Sequence, residues 1–262
     1  MIHPDLIYSV TLALMFAVAA GLVGSFALMK RMLLAGDVIS HLALPGLGLA
    51  FLMGWNPLLG GACSLFAGTI LIAELQKKSG LSADAMIGVV FAGALAVGAA
   101  LTPQEDLVDA LFGKFQQLSF PTFTAGMVAV ATIIAFIFYF REQLVLSLFS
   151  SELAAATGVK LDRLNLWFLL VFSLTVLVGL RFMGALLAGS LIMVPSTIGR
   201  RLSRNLSGFL LTSVLASVTA VAMGFVLSLY VLRRMSLGPS TTIIAAVLFG
   251  LSLLCKPRGA RR

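Results

Sequence analysis

The chain has 262 residues, of which 60% are hydrophobic and only 11% charged, and its mean hydropathy is +1.08. Soluble globular domains are roughly 45–50% apolar and about 25% charged, so a soluble domain is excluded; at about 20 apolar residues per membrane-crossing helix, roughly eight or nine spans fit and no separate soluble domain does. The formal charge of +8, from 18 Lys and Arg against 10 Asp and Glu, sits in short loops between apolar runs, so it reads as membrane topology and not as a nucleic-acid footprint.

Met1-Ile2-His3-Pro4-Asp5 lacks a basic n-region, and the apolar run after it is longer than a signal-peptide core, so it reads as a retained first span. Apolar segments follow at 6–29, 33–53, 57–74, 85–101, 122–140, 164–180, 183–198, 208–230 and 239–255. They predict an all-α, polytopic transmembrane bundle of about nine spans, with eight as the alternative, in a single transmembrane domain over 1–262. Each span must be helical, because unpaired backbone groups in lipid cost several kcal/mol. Ala17, Gly21 and Ser25 in the first span, and Gly46, Ala50 and Gly54 in the second, have the small-residue spacing of closely packed helices.

The second span opens Gly36-Asp37-Val38-Ile39-Ser40-His41-Leu42-Ala43-Leu44-Pro45-Gly46. Asp37 and His41 are four apart and share a helical face. Ionisable groups within a span are expensive, and carboxylate oxygen with imidazole nitrogen is a ligand set for zinc or manganese. Pro45 cannot donate to the carbonyl of His41, so that carbonyl is expected to need a hydroxyl, a water or a passing cation. Gly46 and Gly48 would let the kinked segment approach a neighbour. A purely structural reading stays open, in which Asp37 and His41 satisfy each other at the headgroups. Even a functional pair supplies only two or three donor atoms, fewer than the four of tetrahedral zinc.

Farther along, Glu74 beside Lys77 and Lys78 reads as an interfacial ion pair. The outer loop, 102–121, carries Leu107, Val108, Leu111, Phe112 and Phe115 on one helical face, an amphipathic stretch lying on the membrane or on a partner. The inner loop, 141–163, holds a short helix capped by Ser150, with Glu152 in its first turn, then Leu153, Ala154, Ala155, Ala156 and Thr157, and Gly158 as its stop. Isolated helices this short are marginal in water, so it must dock on its own bundle or on a cytosolic subunit. Pro195, beside Ser190, Ser196 and Thr197, is expected to break the seventh span, either as a hinge or pathway element or in helix packing alone. Arg181 snorkels outward between two spans. Cys63 and Cys255 form no motif and are read as packing residues.

Fourteen of the 18 basic residues collect on one side when Lys30, Arg31, Lys77, Lys78, Arg141, Lys160, Arg163, Arg200, Arg201, Arg204 and the C-terminal tail are placed together. The positive-inside rule makes that side the cytoplasm, with the N-terminus outside and the C-terminus inside. Arg233 and Arg234 fall on the outer side, against the rule. There is no phosphate-cradling G-x-x-x-x-G-K-[ST], no H-E-x-x-H and no G-x-S-x-G, so the chain is not expected to hydrolyse ATP by that route, and nothing points to an intramembrane enzyme.

The segment Gly36 to Gly46 resembles the G-D-x-x-S-H-x-x-L-P-G signature of permease subunits of ABC-type zinc and manganese importers. Leu111-Phe112-Gly113 resembles that family's outer-loop motif, Glu152 to Asn165 its cytoplasmic Glu-x-A-x-x-x-G-V stretch, and Val194-Pro195 with Arg200 a late Leu-Pro-Ala…Arg segment, although Ser196 and Thr197 replace small apolar residues there. The resemblance implies a vitamin B12 importer-like permease architecture in a bacterial inner membrane. It also implies a second copy of the chain, two cytosolic ATPase subunits that supply ATP hydrolysis, and an extracytoplasmic metal-binding protein; no permanently bound cofactor is expected. Asp37 and His41 would contact the transported metal, Ser40, Pro45, Gly46 and Pro195 would shape the pathway, and 152–158 would be the coupling helix. Two alternatives carry weight: a proton-coupled secondary transporter using Asp37 and His41, and an ABC permease for a metal chelate.

Overall fold

The computed structural model describes residues 4–32, 35–101, 120–230 and 237–254, and among them every regular element is helical. The chain runs through α1 (Pro4–Met29), α2 (Ala35–Ser40), a 3₁₀ turn (His41–Ala43), α3 (Leu44–Met53), α4 (Pro57–Ser79) and α5 (Ala83–Leu101). It continues through α6 (Phe120–Phe149), α7 (Ser151–Ala156), α8 (Leu161–Met183), α9 (Ala185–Leu202), α10 (Leu206–Tyr230) and α11 (Leu237–Leu254). Seven of these segments are long and apolar enough to cross a membrane, α2 to α3 counting as one, and the shorter Gly238–Leu254 is also apolar. Every predicted segment overlaps a helical segment, although 183–198 begins at the end of α8 and residues 33, 34 and 255 lie outside the described residues. The amphipathic outer stretch with its Leu111-Phe112-Gly113, together with Arg233, Arg234, Cys255 and the basic tail, lies outside the described residues.

Local sequence explains most boundaries. Asn56 caps α4, its side chain accepting from Leu58 N–H at 3.0 Å ahead of Pro57 at the first helical position, and Gly80 ends the helix at φ +66°. Gly54 ends α3 at φ +68°. A break at Pro195 does not occur: α9 is continuous from Ala185 to Leu202. The Ser196 hydroxyl donates to Ile192 and Met193 carbonyls, each at 2.8 Å, and Thr197 donates to Val194 at 2.7 Å, so hydroxyls beside the proline engage the neighbouring backbone.

α1 is the central post. It is apolar on all sides, and its Leu12, Phe16, Ala19, Val23 and Phe26 are buried against α6, α8, α9 and α10. On one flank the unit from α2 to α3 packs between α4, α5, α8 and α9; on another, α11 closes on α9 and α10. Cys63, expected in the packing, is instead exposed on α4.

Close crossings fix the α2 to α3 unit. A Cβ at Gly46 would overlap the Gly60 carbonyl and stand 2.5 Å from the Ser64 Cβ, and one at Gly60 would overlap the Gly46 carbonyl. Only glycine at both positions lets α3 and α4 meet backbone to backbone. That crossing carries Ser64 to the start of the kink, which matters for the site below.

Candidate metal pathway

Asp37 lies in the first turn of α2, and His41 opens the 3₁₀ turn four residues later. The turn arises where Pro45 removes a donor from the helix. The His41 carbonyl, expected to be left free, instead accepts from Leu44 N–H in the tightened turn. The unmet acceptor passes one residue on, to Leu42, and there the Ser64 hydroxyl of α4 donates to it at 2.7 Å. Ser40 turns its hydroxyl back onto the Asp37 carbonyl at 2.6 Å, which leaves the Asp37 side chain uninvolved in the local backbone.

The two ionisable side chains face differently from what self-satisfaction requires. Asp37 is exposed and His41 half-buried, its ring centroid 5.5 Å from that of Phe91 on α5. Neither side chain has a hydrogen bond or ion pair with any described residue. The reading in which Asp37 and His41 merely neutralise each other therefore does not describe this geometry. Asp37 sits over α9, where Gly189 leaves room: a Cβ there would stand 3.8 Å from the Asp37 Cβ and Oδ1. At the very next residue, Ser190 and Thr242 bring their hydroxyls to 3.0 Å and pin α9 to α11. Among the described residues no group of three or more His, Cys, Asp or Glu comes together, so the described residues close no coordination shell.

The inner loop is built as the sequence specifies. Ser150 Oγ accepts from Leu153 N–H at 3.1 Å, and Gly158, at φ +82°, receives the chain after the last turn of α7. Of the α7 residues only Ala154 is buried among those described, against its own bundle. Glu152, Leu153, Ala155, Ala156, Thr157 and Gly158 are all exposed. Leu153 is 55% exposed, and Phe149, at the end of α6, is 87% exposed. Phe149 was not evident from sequence, because it closes a long apolar run and looks like any lipid-facing residue there. α6 has 30 residues, about 45 Å, while the hydrocarbon core is about 30 Å thick, so its end projects beyond the membrane and carries α7 with it.

Three bonded clusters draw predicted inner-side residues to one end of the bundle. Lys30 Nζ donates to Asn165 Oδ1 at 3.1 Å and lies 5.0 Å above the Phe168 ring, while Asn165 Nδ2 donates to Gln76 Oε1 at 3.0 Å. Arg141 donates to Ser207 Oγ, and Arg201 donates to the Ser252 and Leu253 carbonyls at the end of α11. Lys30 follows α1, beyond the span Ile7–Met29, and burial pushes its ammonium down to about 8. No carboxylate pairs with it among the described residues. With the folded value below the unfolded one, the unfolded chain binds more protons between about pH 8 and the ordinary lysine value of 10.5, so stability must rise over that window. Thermal unfolding in detergent should show the wild type gaining stability from pH 8 to 10, and Lys30→Met flat over the same range; parallel profiles would refute it.

The profile of the ABC 3 transport family matches residues 3–256. The high-affinity zinc uptake system membrane protein ZnuB of Haemophilus influenzae is 26% identical over 98% of this chain and 98% of its own length. The manganese transport system membrane protein MntC of Listeria monocytogenes is 28% identical over 97% of this chain and 90% of its own. Among solved structures, PsaBC from Streptococcus pneumoniae in complex with Fab superposes with a TM-score of 0.82 at 24% identity, covering 98% of this chain and 94% of that one.

Proposed function

The chain belongs to the ABC 3 transport family, and from that premise we propose that it is the permease subunit of an ATP-driven importer carrying zinc or manganese into the cytoplasm by alternating access. One observation supports the reading most: a carboxylate and an imidazole four residues apart, on the kinked span, both without a hydrogen-bond or ion-pair partner among the described residues. Groups that costly to place in a membrane, and left unpaired, are groups kept for a passing ligand. Asp37 and His41 contact the metal as substrate. Ser40, Pro45 and Gly46 hold the shape of the turn that presents them, and Pro195 lies on the neighbouring α9 wall.

A single chain gives two ligating side chains, so a second copy of the chain completes the shell, its Asp37 and His41 facing these across the dimer axis. Partial coordination also suits transport, since a site must release what it binds. The whole chain acts as one transmembrane domain in the plasma membrane, N-terminus outside and C-terminus inside. ATP is hydrolysed on two separate cytosolic subunits that grip α7, and an extracytoplasmic binding protein delivers the metal. The exposed α7 favours this over a proton-coupled carrier, which has no use for a partner-binding helix outside the membrane.

The test is radiometal uptake into proteoliposomes containing the chain with and without its ATPase subunit, zinc and manganese in competition. Uptake that requires both the ATPase and ATP is expected. Uptake that ignores ATP and follows a proton gradient would instead assign Asp37 and His41 to a carrier.

A further inference from the structure

Four charged side chains, two of each sign, surround a cavity of about 570 Å³ between the end of α4 and the start of α8: Glu74 and Lys77 from one helix, Asp162 and Arg163 from the other. The ion pair expected between Glu74 and its neighbouring lysines is not formed. None of the four makes a hydrogen bond or ion pair with any described residue, although opposite charges share one cavity. The cavity also has a fixed polar wall, Gln76 and Asn165, which bond to each other and, through Asn165, to Lys30. Such a space suits a small group that carries both charges itself.

Its depth indicates the source of that group. α4 and α8 have 23 residues each, about 35 Å, slightly more than the hydrocarbon thickness of about 30 Å, so their terminal turns lie among the lipid headgroups. Trp167, 55% exposed, stands beside the cavity residue Leu166, where an amphipathic indole prefers the membrane interface. Leu81, also lining the cavity, is 56% exposed and continues the apolar surface of the bundle to its rim. The site thus lies at headgroup level, short of the projecting α7.

We propose that this cavity binds the head group of phosphatidylethanolamine, with the phosphate held by Lys77 and Arg163 and the primary ammonium by Glu74 and Asp162. Two charges of each sign favour a zwitterion over an anionic lipid. Acidic acceptors favour an ammonium with N–H donors over a quaternary choline. Bound there, the lipid bridges α4 to α8 next to the linker that carries α7.

The experiment uses the full-length chain, purified in detergent, stripped of lipid and mixed with equal amounts of phosphatidylethanolamine, phosphatidylcholine and phosphatidylglycerol, with retained lipid counted by native mass spectrometry. Phosphatidylethanolamine should be retained above the other two. Lys77→Gln with Arg163→Gln should weaken its retention by about fivefold per basic residue, the equivalent of ~1 kcal/mol each. Glu74→Gln with Asp162→Asn should erase the preference for ethanolamine over choline. All four side chains are exposed, and thermal unfolding checks that each variant remains folded. Equal retention of the three lipids, or a preference intact in both double variants, overturns the proposal. So does displacement by free phosphoethanolamine at equal concentration, which would make the ligand a soluble metabolite, or lost ATPase binding with unchanged lipid retention, which would make the cavity a protein contact.

Discussion

Replacing either Asp37 or His41 by alanine is expected to bring ATP-dependent metal uptake to background, a loss of about 100-fold or more, with no loss of folded protein. The size follows from what metal sites tolerate: altering even the groups that support a ligand costs about 10–100-fold in affinity or activity. The silence in stability follows from the structure. Asp37 is exposed and neither side chain bonds to a described residue, so truncation leaves no buried partner unsatisfied and stays within about 0.5 kcal/mol of the wild type. Uptake of radioactive zinc or manganese, normalised to the protein recovered by size-exclusion chromatography, measures both halves. Normal uptake in both variants would remove these residues from the pathway.

The same geometry separates the proposed metal ligands from the scaffold that presents them. Ser64 is not a ligand, yet its hydroxyl closes the Leu42 carbonyl that the proline-tightened turn leaves open, and the Gly46 to Gly60 crossing puts it there. A pathway built this way needs few polar side chains inside the membrane. The kink is neutralised by backbone and hydroxyl groups, and the ionisable pair takes no part in it.

Much of this was legible along the chain because it is local. Helix count follows from hydropathy, since lipid allows only self-satisfied backbone, and the capped α7 follows from Ser150 and Gly158. What sequence misplaced depends on groups far apart in the chain or on small shifts of hydrogen bonding. The His41 carbonyl was expected free because a proline removes the i+4 donor; a 3₁₀ turn supplies Leu44 instead. Glu74 was expected to pair with lysines three and four residues on, yet the end of α4 directs it into the cavity shared with α8. Lys30 reaches Asn165, 135 residues away, a contact no periodicity announces.

The proposed coupling helix, α7, gives the second large effect. Phe149 and Leu153 are both large, apolar and exposed on a segment that α6 carries past the membrane, whereas Ala154 is spent on the bundle. Apolar side chains held out in water are anchors for a partner, and a central anchor in an interface is worth about 2 kcal/mol or more, roughly 30-fold in affinity. Phe149→Asp with Leu153→Asp should therefore abolish co-purification of the ATPase and ATP-dependent uptake together. The same double variant should still bind metal at Asp37 and His41, because the site lies on α2 and the 3₁₀ turn, which pack mainly against α4, α5, α8 and α9 rather than α7. Ser150→Ala should give a milder form of the defect, since losing the cap costs about 1 kcal/mol of helix stability without removing either anchor. ATPase pull-down on the detergent-purified variants, alongside uptake, reads both. If the double variant transports normally, α7 is not the ATPase grip, and the permease must receive the force of ATP hydrolysis elsewhere.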